Sequence, residues 1–97
     1  MKRTDIIQSL IDKVGAENYL EVGVSAGENF RDIKCKNKVG VDPEPSTPAT
    51  IHTDSDSFFK DNKRTFDVIF IDGLHHADQV YRDINNSLAI LNDKGFI

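Results

Sequence analysis

A chain of 97 residues has room for one small domain, and its apolar (38%) and charged (29%) fractions are those of a folded globular protein, not a disordered tail. Lys plus Arg is 12 against 16 for Asp plus Glu, a net charge of −4 with no basic cluster, which argues against a nucleic-acid backbone as partner. No apolar run approaches the ~20 residues of a membrane span, the N-terminus lacks a signal-peptide stretch, and the single Cys35 forms no internal disulfide, so the chain reads as cytoplasmic.

Ile6, Ile7, Leu10, Ile11 and Val14 share one helical face, which predicts a first helix over 4–14, with Thr4 to cap its start and Gly15 to close its end. Residues 19–24, Tyr-Leu-Glu-Val-Gly-Val, read as a buried strand. Ser25, Ala26 and Gly27 then turn into a short helix through Phe30 and Ile33. Val39 to Val41 form a second strand that Asp42-Pro43 ends, and three prolines between 43 and 48 mark an exposed loop. Residues 51–53 suit a brief extra strand, after which Asp54 or Ser55 caps a helix holding Phe58 and Phe59. Phe66 to Ile71 has the long apolar run of a strand covered on both faces. A helix follows from about Ala77 to Leu91, with Ala77, Val80, Tyr81, Ile84, Leu88 and Leu91 on the expected buried face and Asp78, Arg82, Asp83 and Asn86 away from it. Gly95 ends the connection, and Phe96-Ile97 looks like the start of another strand. Helices alternating with strands in this way imply a doubly wound, Rossmann-like α/β fold of about four to five parallel strands with helices on both faces.

In such a sheet, ligands sit beyond the carboxyl ends of the strands, so the residues leaving the first strand, from Glu21 to Gly27, are the first candidates. Gly23 and Gly27 permit close approach to the backbone, and the following helix offers free N–H groups. Asp42 ends the second strand 19 residues after Gly23, where a carboxylate grips the two hydroxyls of a ribose. The spacing is G-x-x-x-G, not the G-x-G-x-x-G of a dinucleotide site. Glu21 is expected to stand beside the turn, where its charge would repel a pyrophosphate and attract an ammonium or sulfonium, favouring S-adenosylmethionine over NAD. The same residues have plainer readings: a strand–Gly–helix turn serves packing in any α/β protein, and Asp-Pro commonly opens a turn.

The stretches Tyr19 to Gly27, Val39 to Pro43 and Phe66-Asp-Val-Ile-Phe-Ile-Asp-Gly-Leu-His-His76 resemble the N-terminal part of a class I S-adenosylmethionine-dependent methyltransferase. The resemblance is strongest to the group whose fourth strand ends in Asp-Gly-x-His, and it runs from about Tyr19 to Ile97. It implies that Glu21, Gly23 and Gly27 line the methionine and ribose part of the cofactor, that Asp42 binds the ribose, and that Ser55 and Asp56 lie near the adenine. Ser25 departs from the pattern, since the family often has Gly there. At the Asp-Gly-Leu-His element the resemblance associates Asp72 and His75 with the acceptor. His75 has the ordinary pKa for taking a proton from a hydroxyl acceptor, and Asp72 could orient that acceptor or balance the sulfonium. Asp72-Gly73 is equally a good turn, and two adjacent histidines are a poor chelating pair, so no metal site is read from this chain. Cys35 among Lys34, Lys36 and Lys38 has a setting for a lowered thiol pKa, although such a cysteine is more often a plain loop residue.

The family pattern of about seven strands leads one to expect more sequence after Ile97, including the part that covers the acceptor. The expected activity is methylation of a small-molecule, sugar or polyketide-like hydroxyl; the alternative is a non-catalytic nucleoside-binding or structural remnant of the same domain. Either way, a strand left without its outer neighbour predicts self-association, as a homodimer through the exposed sheet edge or by strand exchange.

Overall fold

The computed structural model describes residues 2–72 and 77–97, the side chains of residues 93 and 94 excepted. Eight elements follow in order: α1 (Arg3–Val14), β1 (Asn18–Val22), α2 (Glu28–Asp32), β2 (Asn37–Val41), α3 (Ser55–Asp61), β3 (Phe66–Ile71), α4 (Ala77–Ala89) and β4 (Leu91–Phe96). The strands form one parallel sheet in the order β2-β1-β3-β4. The chain therefore winds outward from β1 first to one side and then to the other, and the order reverses where β1 meets β3. That reversal opens a crevice at the carboxyl ends of β1, β2 and β3.

Alternate residues of β1 feed two cores, one on each face of the sheet. Tyr19 packs with Ile7 and Ile11 of α1, Phe30 of α2, and Ile33, Ala49 and Val68. Leu20 and Val22 pack with Val39, Val41, Phe58 of α3, Phe66 and Ile69. Burying each of these large apolar side chains contributes roughly 1.5–3 kcal/mol before the entropy of ordering the chain is set against it.

Gly15 closes α1 in the left-handed conformation (φ 64°), as the sequence suggested, but Lys2 and not Thr4 is its N-cap residue. The Thr4 hydroxyl instead donates to Asn29 Oδ1 at 2.7 Å, tying α1 to α2. Of the expected apolar face only Ile7 and Ile11 are buried, while Ile6 is exposed. Residues 51–53 make no strand: Ile51 forms one isolated parallel bridge to Val41, which the preceding proline loop permits but does not extend. Asp54 caps α3 by accepting from the Ser57 backbone N–H at 2.7 Å. The last strand starts at Leu91, before Gly95 rather than after it, and its pairing with β3 is irregular between Phe66 and Val68.

The face of α4 is the main reversal. Asp83 and Ser87 are buried, whereas Tyr81, Ile84 and Leu88 stand exposed. The polar face is held inward by hydrogen bonds from Ser55 and Gln79 to Asp83, which join α4 to the first turn of α3. Among the described residues no helix is long and apolar enough to cross a membrane.

Candidate functional site

A cleft of about 250 Å³ lies at the carboxyl ends of the central strands. Val22, Gly23 and Ser25 form its floor, Val41, Asp42 and Pro43 one end, Thr53, Asp54 and Ser55 a second side, and Asp72, Gln79 and Asp83 a third. Four of these residues are aspartates and none is Lys or Arg. A ligand with positive charge is therefore favoured over a pyrophosphate. One unit pair at ~4 Å in an effective dielectric near 20 is worth about 4 kcal/mol before desolvation.

The floor is shaped by an unusual backbone. Gly23 has φ 91°, Ser25 φ 52° and Gly27 φ 85°, so three alternate residues lie in the left-handed region. Gly27 is required twice over: a Cβ there would collide with Cγ of Pro48. Ser25 bears the conformation without glycine's freedom, a backbone that favours glycine at this point.

Asp42 is buried, and its carboxylate organises this turn. Oδ2 accepts from the backbone N–H of Val24 (3.0 Å) and Ser25 (2.9 Å), and Oδ1 from Glu44 N–H (2.9 Å). Each carboxylate oxygen has two lone-pair sites, so Oδ1 retains capacity for a ligand hydroxyl. Asp72 continues β3, its N–H bonded to Val22 O at 2.8 Å. Its Oδ1 lies 3.4 Å from Nη1 of Arg3, whose guanidinium also stacks 5.5 Å from the Phe70 ring centroid.

Glu21 is not at the cleft. It is 1% exposed, on the α1 side of the sheet, where Oε1 accepts from the Tyr19 hydroxyl at 2.6 Å and Asn29 Nδ2 at 2.7 Å. The period of two along β1 explains the correction: Glu21 follows Tyr19 to one face while the cleft opens on the face of Val22. Burial pushes its carboxyl above the ordinary range against the pull of Tyr19 and Asn29, and burial likewise pushes the Tyr19 phenol up. The charge preference first assigned to Glu21 belongs instead to Asp42, Asp54, Asp72 and Asp83.

Of the other residues expected from sequence, Gly23, Ser25, Asp42, Ser55 and Asp72 come together in the cleft. Gly27 lies behind the floor against Pro48, and Asp56 turns outward to Arg82 Nε at 3.5 Å. His75 lies outside the described residues. Thr53, Asp54, Gln79 and Asp83 were missed as lining residues; the capping pattern at Asp54 was the available signal. The Cys35 thiol is pushed up by burial, not lowered, because desolvation outweighs the N–H groups of Asn37 and Lys36 and the charge of Lys38.

The structure is similar to the N-methyltransferase NodS from Bradyrhizobium japonicum WM9 (TM-score 0.74, 23% identity, covering 97% of this chain and 65% of that one). It is also similar to an O-methyltransferase from Bacillus cereus in complex with SAH (TM-score 0.69, 16% identity, 93% and 51% coverage). Both are likenesses of fold, and the chain spans less than two thirds of either protein's length. No curated protein sequence matches the chain. The family described as "Methyltransferase domain" matches residues 24–97, which takes in every residue lining the cleft except Val22 and Gly23, and the chain belongs to that family.

Proposed function

We propose that the cleft holds S-adenosylmethionine and that the domain serves methyl transfer to a small-molecule hydroxyl, such as that of a sugar or a polyketide-like compound. The observation that carries the reading is the cleft's charge: four aspartates and no Lys or Arg among its described lining residues, at the switch point of a parallel sheet. Bound there, S-adenosylmethionine supplies an electrophilic methyl carbon on a sulfonium. Asp42, at the end of β2, accepts the ribose hydroxyls, Gly23 gives the backbone room for close approach, and Ser25 offers its hydroxyl beside them. Asp72 balances positive charge at the mouth of β3. His75, following Asp72 in the sequence, takes the proton of the acceptor hydroxyl.

Calorimetric titration with S-adenosylhomocysteine and with NAD tests the cofactor reading. The expected result is saturable binding of the first and none of the second; NAD binding alone overturns it. With an acceptor in hand, His75→Ala is expected to lower turnover at least about 100-fold while leaving S-adenosylhomocysteine affinity unchanged. Equal turnover would remove His75 from the chemistry.

A further inference from the structure

Toward the C-terminal end of α3 a second cavity, of about 380 Å³, opens beside β2, an edge of the sheet among the described residues. That volume lies within the ~300–1,000 Å³ of small-molecule sites. Its floor is apolar: Val39 of β2, Phe58 of α3 and Phe66 of β3 are all buried, and Ile51, 39% exposed, lines it as well. Thr53 is the one described residue that lines both this cavity and the acidic cleft.

The rim is the run Asp61-Asn62-Lys63-Arg64 that leaves α3. Asn62 shapes it. Its N–H donates to Phe58 O at 2.9 Å and closes the helix, while its side chain holds both backbone groups of Arg64: Oδ1 accepts the N–H at 3.2 Å and Nδ2 donates to the carbonyl at 2.7 Å. The Arg64 guanidinium is laid over the Phe66 ring, 5.7 Å from its centroid. A guanidinium stacked in this way is a planar fork already oriented for a carboxylate. Among the described residues, the guanidinium and the Lys63 ammonium donate no hydrogen bond, and neither is within ion-pair distance of a carboxylate. Asp61 shares the rim without pairing to either, so the cavity carries two positive charges and one negative. The cleft at the carboxyl ends of the strands has the opposite balance, with aspartates alone.

The geometry points to a binding site for a small aromatic monocarboxylate, its ring against Val39, Phe58 and Phe66 and its carboxylate on Arg64 and Lys63. The two phenyl rings favour a flat aromatic body over a bulky one. The guanidinium fork matches a carboxylate, and Asp61 opposes a second negative charge on the ligand. The site is independent of the cofactor reading and stands or falls without it.

The test is titration of naphthalene-2-carboxylate, and of its neutral counterpart naphthalene-2-carboxamide, into the isotope-labelled protein, followed by amide NMR shifts. The carboxylate is expected to give saturable shifts at Val39, Ile51, Phe58 and Phe66 with a Kd of about 1 mM or tighter. The carboxamide is expected to bind at least about fivefold more weakly. Lys63 and Arg64 are both exposed, so the double variant Lys63→Gln/Arg64→Gln, its fold checked by circular dichroism, is expected to bring the two affinities close together. Absence of saturation, equal wild-type affinity for the two probes, or a folded double variant that keeps the wild-type ratio each overturns the inference. So do shifts centred on Tyr81 and Leu88, or on Gly23 and Asp42, in place of the cavity. The wild-type comparison decides the matter even if the variant does not fold.

Discussion

Ser25 holds a left-handed backbone that costs a non-glycine residue about 1 kcal/mol, and its side chain is exposed. Ser25→Gly is therefore expected to raise stability by up to about 1 kcal/mol, measured by urea unfolding; a loss of stability would mean that the Ser25 side chain holds the turn. Asp42 behaves in the opposite way. Asp42→Ala strips three backbone N–H groups of their acceptor, so both stability and affinity are expected to fall, each by about 1–3 kcal/mol. Unchanged affinity would place the ribose elsewhere. Glu21 gives a pH signature. Its carboxyl is raised above the ordinary 4.5 chiefly by burial, so the folded state holds the proton more tightly than the unfolded chain does. The resulting cost is complete at pH values above the raised folded pKa, and it fades as the pH falls to 4.5. Glu21→Gln, which keeps an acceptor for Tyr19 and Asn29, is expected to gain stability over wild type above that window and to lose the gain toward pH 4.5; a pH-independent difference would contradict this. Sequence made the residue visible but not its direction, because one step along a strand exchanges the two faces of the sheet.

Among the elements, β3 is positioned at its start by a single carboxylate. Asp67 Oδ2 accepts the N–H groups of Glu17 and Asn18 (3.0 Å each), and Oδ1 accepts from Asn92 Nδ2 at 2.8 Å, so β1, β3 and β4 meet there. Burial works against ionisation at this site, but the bonds from Asn92, Glu17 and Asn18 outweigh it and hold the carboxyl below its usual range. Asp67→Ala is expected to cost about 1 kcal/mol in chemical unfolding, the low end because water reaches the group. S-adenosylhomocysteine binding should be unaffected, since Asp67 stands at the opposite end of the strand from the cleft. The alternation of helix and strand was legible from periodicity and turn residues, and residue type narrowed the α3 cap to Asp54 or Ser55, of which Asp54 forms it. The orientation of α4 was not. Its apolar residues recur at helical spacing, but Asp83 is drawn inward by Ser55 and Gln79, partners 28 and 4 residues away in sequence. Hydrogen bonding between distant segments leaves no periodic trace.

At the scale of the whole molecule, the outward face of α4 and the final strand each expose apolar side chains. Tyr81 is 70% and Leu88 58% exposed, and Phe96 and Ile97 are exposed as well. Within the described residues β4 has β3 as its single sheet neighbour. An edge strand and exposed apolar side chains each favour self-association. Sedimentation velocity at micromolar concentrations is expected to show mass increasing with concentration, and Leu88→Lys to reduce it. A monomer at every concentration would mean that this surface is tolerated in water.

Arg3 and Thr4 give the leading turn of α1 a fixed berth, one reaching Asp72 at the cleft mouth and the other Asn29 behind the floor. A purification tag or fusion partner attached ahead of that turn would emerge next to the ligand's entrance and compete with Arg3 for its place. Affinities for this protein are best measured with any handle placed at the other terminus.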